Sequence, residues 1–161
     1  MSAGDPVTDD EAADERYMNM ALVEARQAAA NGDVPVGAVV VHEQTVVGRG
    51  HNRRVANNDP LAHAEVEAIR QAAHTLGSWR LDNCTVYVTL EPCPMCAGAL
   101  VQARVGRVVY GADDSRHGAL RSLYQLGDDP RAPHRMHVQR GTLVNECQML
   151  LRQFFAERRL D

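Results

Sequence analysis

Apolar positions along the chain change period several times, and each change marks an element. Across residues 14–31, Tyr17, Met20, Ala21, Val23 and Ala28 recur at helical spacing, and Asn31-Gly32 is a stop signal. Val34-Pro35 leads into Gly37-Ala38-Val39-Val40-Val41, the pattern of a buried strand, and a turn at Glu43-Gln44 joins it to a hairpin partner over 45–50. Residues 51–60 are polar and end in Asp59-Pro60, a helix-start signal, so a helix is predicted over 61–73. Residues 84–90 alternate Val and Thr as a strand, 94–104 read as a helix and 107–111 as a short strand. Residues 112–134 are rich in Gly, Asp and Pro and form the longest irregular stretch, with one helical turn expected near 119–124. A last strand is predicted over 136–140 and a last helix over 145–159, with Met149, Leu150 and Phe154 inward. Strands alternating with helices predict one α/β sheet covered on both faces, without repeats or an internal linker.

Bulk properties narrow the class. The chain has 161 residues, the size of one domain, and 45% of them are apolar, which is ordinary for a globular protein. No run of eighteen apolar residues occurs, and the acidic N-terminus is unlike an export signal, so a soluble cytoplasmic protein without a membrane partner is expected. The net charge of −4 is uneven: residues 1–15 carry six acids and no bases, and the remainder carries +2. Residues 1–13 are therefore read as an acidic disordered tail, and 14–161 as a single domain. All seventeen basic residues are Arg. Arg suits phosphate recognition, although a compositional bias toward Arg explains the count equally well.

The chemistry lies in two short stretches. His63-Ala64-Glu65 is followed, thirty residues after the His, by Pro92-Cys93-Pro94-Met95-Cys96. Thiolate and imidazole are preferred zinc ligands, and cysteines three apart at the start of a helix share a face. The helix N-terminus favours the thiolate forms. Three protein ligands leave a position for water, as in catalytic rather than structural zinc sites. Glu65 is placed to take a proton from that water and return it to a departing amine. Residues two apart on a helix point about 200° apart, so His63 and Glu65 converge only at a helix end. Cys84 and Cys147 sit among apolar residues and read as buried hydrophobes, with a fourth ligand of a structural site as the alternative. H-A-E followed by P-C-x-x-C is the zinc base-deaminase signature.

With these motifs the sequence resembles the cytidine deaminase superfamily, and within it the bacterial tRNA adenosine deaminases. The resemblance runs over residues 17–159 and includes Val34-Pro35-Val36-Gly37-Ala38, Asn52-Arg53, Asp59-Pro60, Tyr87 through Cys93, Met95 through Ala99, Gly106 through Gly111 and Phe154-Phe155. It implies a three-layer α/β/α sandwich on a mixed five-stranded sheet, one Zn2+ per subunit, and a homodimer. The implied reaction is hydrolysis of the wobble adenosine of a tRNA anticodon stem-loop to inosine. Asn52 and the Ala64 backbone N–H are then expected on the flipped base, Val36 and Leu90 as apolar walls, and Asp114 on a neighbouring nucleotide. Phe154, Phe155 and Arg158 are expected to meet the loop from the last helix, with core packing the alternative for at least one Phe. Leu61, where Thr is common, Pro94 between the cysteines and the acidic N-terminal extension depart from the family pattern.

Two other readings fit the same motif. A deaminase of free guanine, cytosine or deoxycytidylate would use the same ligands and the same Glu65. A zinc module without catalysis would keep the fold, although Glu65 is present.

Overall fold

The computed structural model describes residues 4–160. Five strands form one sheet: β1 (Gly37–His42), β2 (Thr45–His51), β3 (Cys84–Leu90), β4 (Arg107–Ala112) and β5 (His137–Arg140), in the order β2-β1-β3-β4-β5. β1 is antiparallel to both neighbours, whereas β3, β4 and β5 run parallel. The mixed sheet separates two apolar layers. Ala38, Val40, Val86, Val88 and Val108 face α3 (Ala64–Leu76) and α4 (Pro94–Gln102). Val39, Val41, Tyr87 and Val109 face α1 (Gly4–Ala30) and α5 (Val144–Leu160). The alternation within each strand is the two-residue period of β structure, with both faces apolar because both are covered. This is the expected three-layer sandwich.

Several element boundaries differ from the sequence pattern. α1 runs from Gly4, ten residues before the predicted start, so residues 4–13 continue the helix. Asp and Glu near a helix N-terminus are favoured by its partial positive charge; residues 1–3 of the expected tail lie outside the described residues. Within α1 the buried stripe is Tyr17, Met18, Ala21, Leu22, Ala25 and Ala28, and Val23 faces solvent at 51% exposure. In α5, Cys147 is buried with Leu150 and Leu151 packed beside it, while Met149 is 54% exposed, against its predicted inward position. The 3.6-residue period puts 147, 150 and 151 on one side and 149 on the other.

A polar network ties α1 to three strands of the sheet. Asp14, 2% exposed, accepts from the Tyr87 hydroxyl at 2.8 Å and from Arg107 Nη1 and Nη2 at 3.0 and 2.7 Å. Gln139 Nε2 also donates to it, so one carboxylate links α1, β3, β4 and β5.

Candidate active site

The sheet topology brings distant residues to one edge. Parallel β3 and β4 end where antiparallel β1 begins and β2 ends, because Gly37 pairs with His51 and Ala38 with Val88. Val36, Asn52, Leu90, Glu91 and Asp113 therefore meet although they span the chain, at the carboxyl ends of the parallel strands, where α/β sheets bind ligands. They line a cavity of about 1040 Å³ together with His63, Glu65 and Cys93, and with Phe155 and Arg158 from α5.

The floor is built from two helix N-termini. His63 is the N-cap of α3, with extended backbone (φ −84°, ψ 153°), and Glu65 lies in the first turn. The break between extended and helical backbone lets both side chains turn to the same place, which a helix interior would forbid. Cys93 is the N-cap of α4, Pro94 opens the helix and Cys96 lies three residues on. Proline costs nothing there because the first turn has no partner for its missing N–H.

α3 can approach the sheet only because β2 carries Gly48 and Gly50. A Cβ on Gly48 would collide with the Ala68 carbonyl oxygen, and one on Gly50 with the Ala64 carbonyl oxygen and Ala68 nitrogen. The glycines thus set the depth of the turn that carries His63 and Glu65.

His63 Nδ1 lies 3.7 Å from Cys93 Sγ and 3.5 Å from Cys96 Sγ, and all three donor atoms fall within 4.8 Å of one another. Zinc–sulfur and zinc–nitrogen bonds of about 2.3 and 2.0 Å at tetrahedral angles require N···S edges of about 3.5 Å. The donor set therefore fits a single zinc-sized ion. Cys84 and Cys147 are not part of this group; each is 1% exposed, in the apolar layers on opposite sides of the sheet.

The electrostatics concentrate on the same atoms. The Cys96 thiol donates to Cys93, and this bond, with that of His63, outweighs burial and holds the Cys93 thiol down to about 3. Cys96 is pushed up in turn, by donating to Cys93 and by its burial. The hydrogen bond to Cys93 raises His63 against its desolvation. Glu65 is 4% exposed, and burial, reinforced by the charge of Cys93, pushes its carboxyl up to about 7. A carboxyl near neutrality both takes and gives protons.

Asn52 is buried, and its Oδ1 accepts the Ala64 N–H at 2.9 Å. The two groups expected separately on a base thus hold each other, and Asn52 fixes the start of α3. Val36 and Leu90 line the cavity. Asp114 also lines it, with Oδ1 accepting the Arg116 and His117 N–H groups. Phe155 reaches the main cavity at 44% exposure. Phe154 stands behind it, edge-on at 5.3 Å, under the Arg158 guanidinium at 4.5 Å.

Glu91, which the motif reading passed over, organises the loop after β4. Its carboxylate accepts N–H groups of Asp114, Leu120, Arg121 and Ser122 at 2.7–3.0 Å, and the Ser122 hydroxyl. Burial alone would raise its pKa, but the Ser122 hydroxyl and these N–H groups outweigh it and hold the carboxyl below its usual range. Gly118 leaves the carboxylate its room, since a Cβ there would collide with it. The sequence signal was a Glu beside Pro-Cys followed by a Gly-rich irregular stretch, which does not reveal the partners.

This fold and site define a class. A family model described as MafB19-like deaminase matches residues 12–159, and the chain belongs to this deaminase family. It is similar to the tRNA-specific adenosine deaminase of Bacillus subtilis, 46% identical over 146 residues, covering 91% of each chain. A solved structure from a study of A-to-I editing by tRNA:A34 deaminases at the wobble position superposes with a TM-score of 0.81 and 43% identity, over 84% of this chain and 99% of that one. The guanine deaminase of Bacillus subtilis superposes with a TM-score of 0.59 and 42% identity, over 62% of this chain and 64% of its own.

Proposed function

We propose that the protein is a zinc-dependent hydrolase that converts the wobble adenosine of a tRNA anticodon stem-loop to inosine. The observation that carries this reading is the convergence of His63, Cys93 and Cys96 beside buried Glu65, on the floor of an open cavity. His63, Cys93 and Cys96 would hold one Zn2+, which supplies a water nucleophile usable at neutral pH. Glu65 accepts a proton from the attacking water and delivers it to the departing amine, so water and adenine base become ammonia and hypoxanthine base. Asn52 orients the base, Val36 and Leu90 flank it, and Asp114, Phe155 and Arg158 meet the neighbouring nucleotides, with Phe154 supporting them from behind. The cavity is at the top of the size range for small-molecule pockets and open, which suits a nucleotide flipped out of a loop better than an enclosed free base. Kinship with tRNA-specific adenosine deaminases supports the substrate.

The homodimer and the cytoplasmic location belong to the same proposal and rest on that kinship. Among the described residues no helix is long and apolar enough to cross a membrane.

The similarity to a guanine deaminase favours a second reading, a free purine base as substrate. Both are tested together by offering zinc-loaded protein an anticodon stem-loop with adenosine at the wobble position, and free guanine and adenosine alongside. Inosine in the stem-loop with the free compounds untouched is expected. Ammonia from guanine with an unchanged stem-loop would replace the first reading by the second.

A further inference from the structure

Two consecutive residues of the loop between α1 and β1 each anchor a guanidinium. The Gly32 carbonyl oxygen accepts Arg158 Nη2 at 2.7 Å. Asp33 Oδ1 accepts Arg54 Nε and Nη2 at 3.2 and 2.9 Å. Asp33 is 2% exposed and also takes the N–H groups of Val34 and Val55, so its carboxylate is fixed from three sides. Arg54 opens the short helix α2 (Arg54–Asn57) and Arg158 lies near the end of α5, yet both line the main cavity.

Arg54 is bound along one edge only. Its side chain is 40% exposed, and Nη1 donates to no protein atom among the described residues. Three other acids of the same cavity are engaged elsewhere: Glu91 by the loop N–H groups, Asp114 Oδ1 by Arg116 and His117, and Asp113 by the Tyr110 hydroxyl. A guanidinium oriented by a buried carboxylate, with N–H donors left over, is pre-organised for an oxyanion, and planar donor pairs match phosphate.

We infer that Arg54, oriented by Asp33 and accompanied by Arg158, binds a backbone phosphate next to the nucleotide that enters the cavity. It thereby favours a polynucleotide over a free base, which has no phosphate to offer. This inference rests on the RNA reading above and adds a specificity-determining residue to it. Asp33 is the positioning residue, acting only through Arg54.

The test is the affinity of zinc-loaded protein for the anticodon stem-loop, measured by fluorescence anisotropy over a range of NaCl concentrations, for wild type, Arg54→Gln and Arg54→Lys. A second stem-loop carries neutral methylphosphonates in place of the phosphates flanking the wobble adenosine. Arg54→Gln is expected to weaken binding about tenfold, as for loss of a charged hydrogen bond, and to lower the slope of log affinity against log salt by about 0.7. In turnover the loss falls on KM far more than on kcat. Arg54→Lys keeps the slope and loses part of the affinity, because it keeps the charge without the fork. On the neutral stem-loop, wild type and Arg54→Gln should bind alike. An unchanged salt slope in Arg54→Gln, or a full extra loss on the neutral stem-loop, overturns the inference while leaving the RNA reading intact. Wild type that neither binds nor converts the stem-loop overturns both.

Discussion

Asp33 keeps a negative charge where water hardly reaches it, and its partners explain how. Burial alone would raise its pKa, but the Val55 N–H, the Arg54 guanidinium and the Val34 N–H stabilise the anion more and hold it below its usual range. A group depressed in the folded state stabilises the fold above its unfolded value of about 4, and that contribution is lost as pH falls through the lower folded value. Asp33→Asn should therefore lower the melting temperature at pH 7, with the gap to wild type closing below about pH 4. Parallel melting curves across that window check it; a gap that stays constant down to acid pH would contradict the ionic account. At this scale the residues that cluster at the candidate site were legible. His63, Glu65, Cys93 and Cys96 stand out because few other roles use that combination at that spacing. The Asn52 bond to Ala64 and the loop bonds to Glu91 were not, because side chain–backbone pairs between residues 12 to 31 positions apart leave no periodic trace.

At the scale of elements, the site depends on how closely α3 lies against β2. The glycines at 48 and 50 permit that approach, so Gly50→Ala must push on the Ala64 carbonyl oxygen and the first turn of α3. Overpacking of this kind costs about 1–3 kcal/mol. The shift also moves His63 and Glu65, so metal affinity and turnover should fall together with stability. Chemical denaturation and metal content on the same sample check this, and a stable variant with full metal content would show that the helix is not seated by this contact. β3 was predicted with its observed ends because alternation of Val and Thr in a doubly covered sheet is distinctive. The start of α3 was placed three residues early, since Asp59-Pro60 is followed by a turn and not by the helix itself. Short α2 was missed: four residues without a buried member give no apolar period. Met149 and Val23 were misplaced because apolar identity alone does not fix the rotation of a helix.

For the molecule as a whole, antiparallel β1 and β2 set against parallel β3, β4 and β5 create the edge at which most of the candidate residues converge, with Phe154 behind it. One layer of helices supplies the candidate metal ligands and Glu65, and the other sends Phe155 and Arg158 over the cavity rim. The fold class followed from strands alternating with helices, whereas the pairing that makes the edge is set by contacts far apart in the chain. The central claim is that Glu65 moves the proton while His63, Cys93 and Cys96 hold the metal. Its most direct test is single-turnover inosine formation in the anticodon stem-loop by wild type and Glu65→Gln, with zinc content measured on the same samples. Equal zinc, with conversion slowed at least about 100-fold in the variant, is the predicted result. Equal zinc with undiminished conversion would contradict the account.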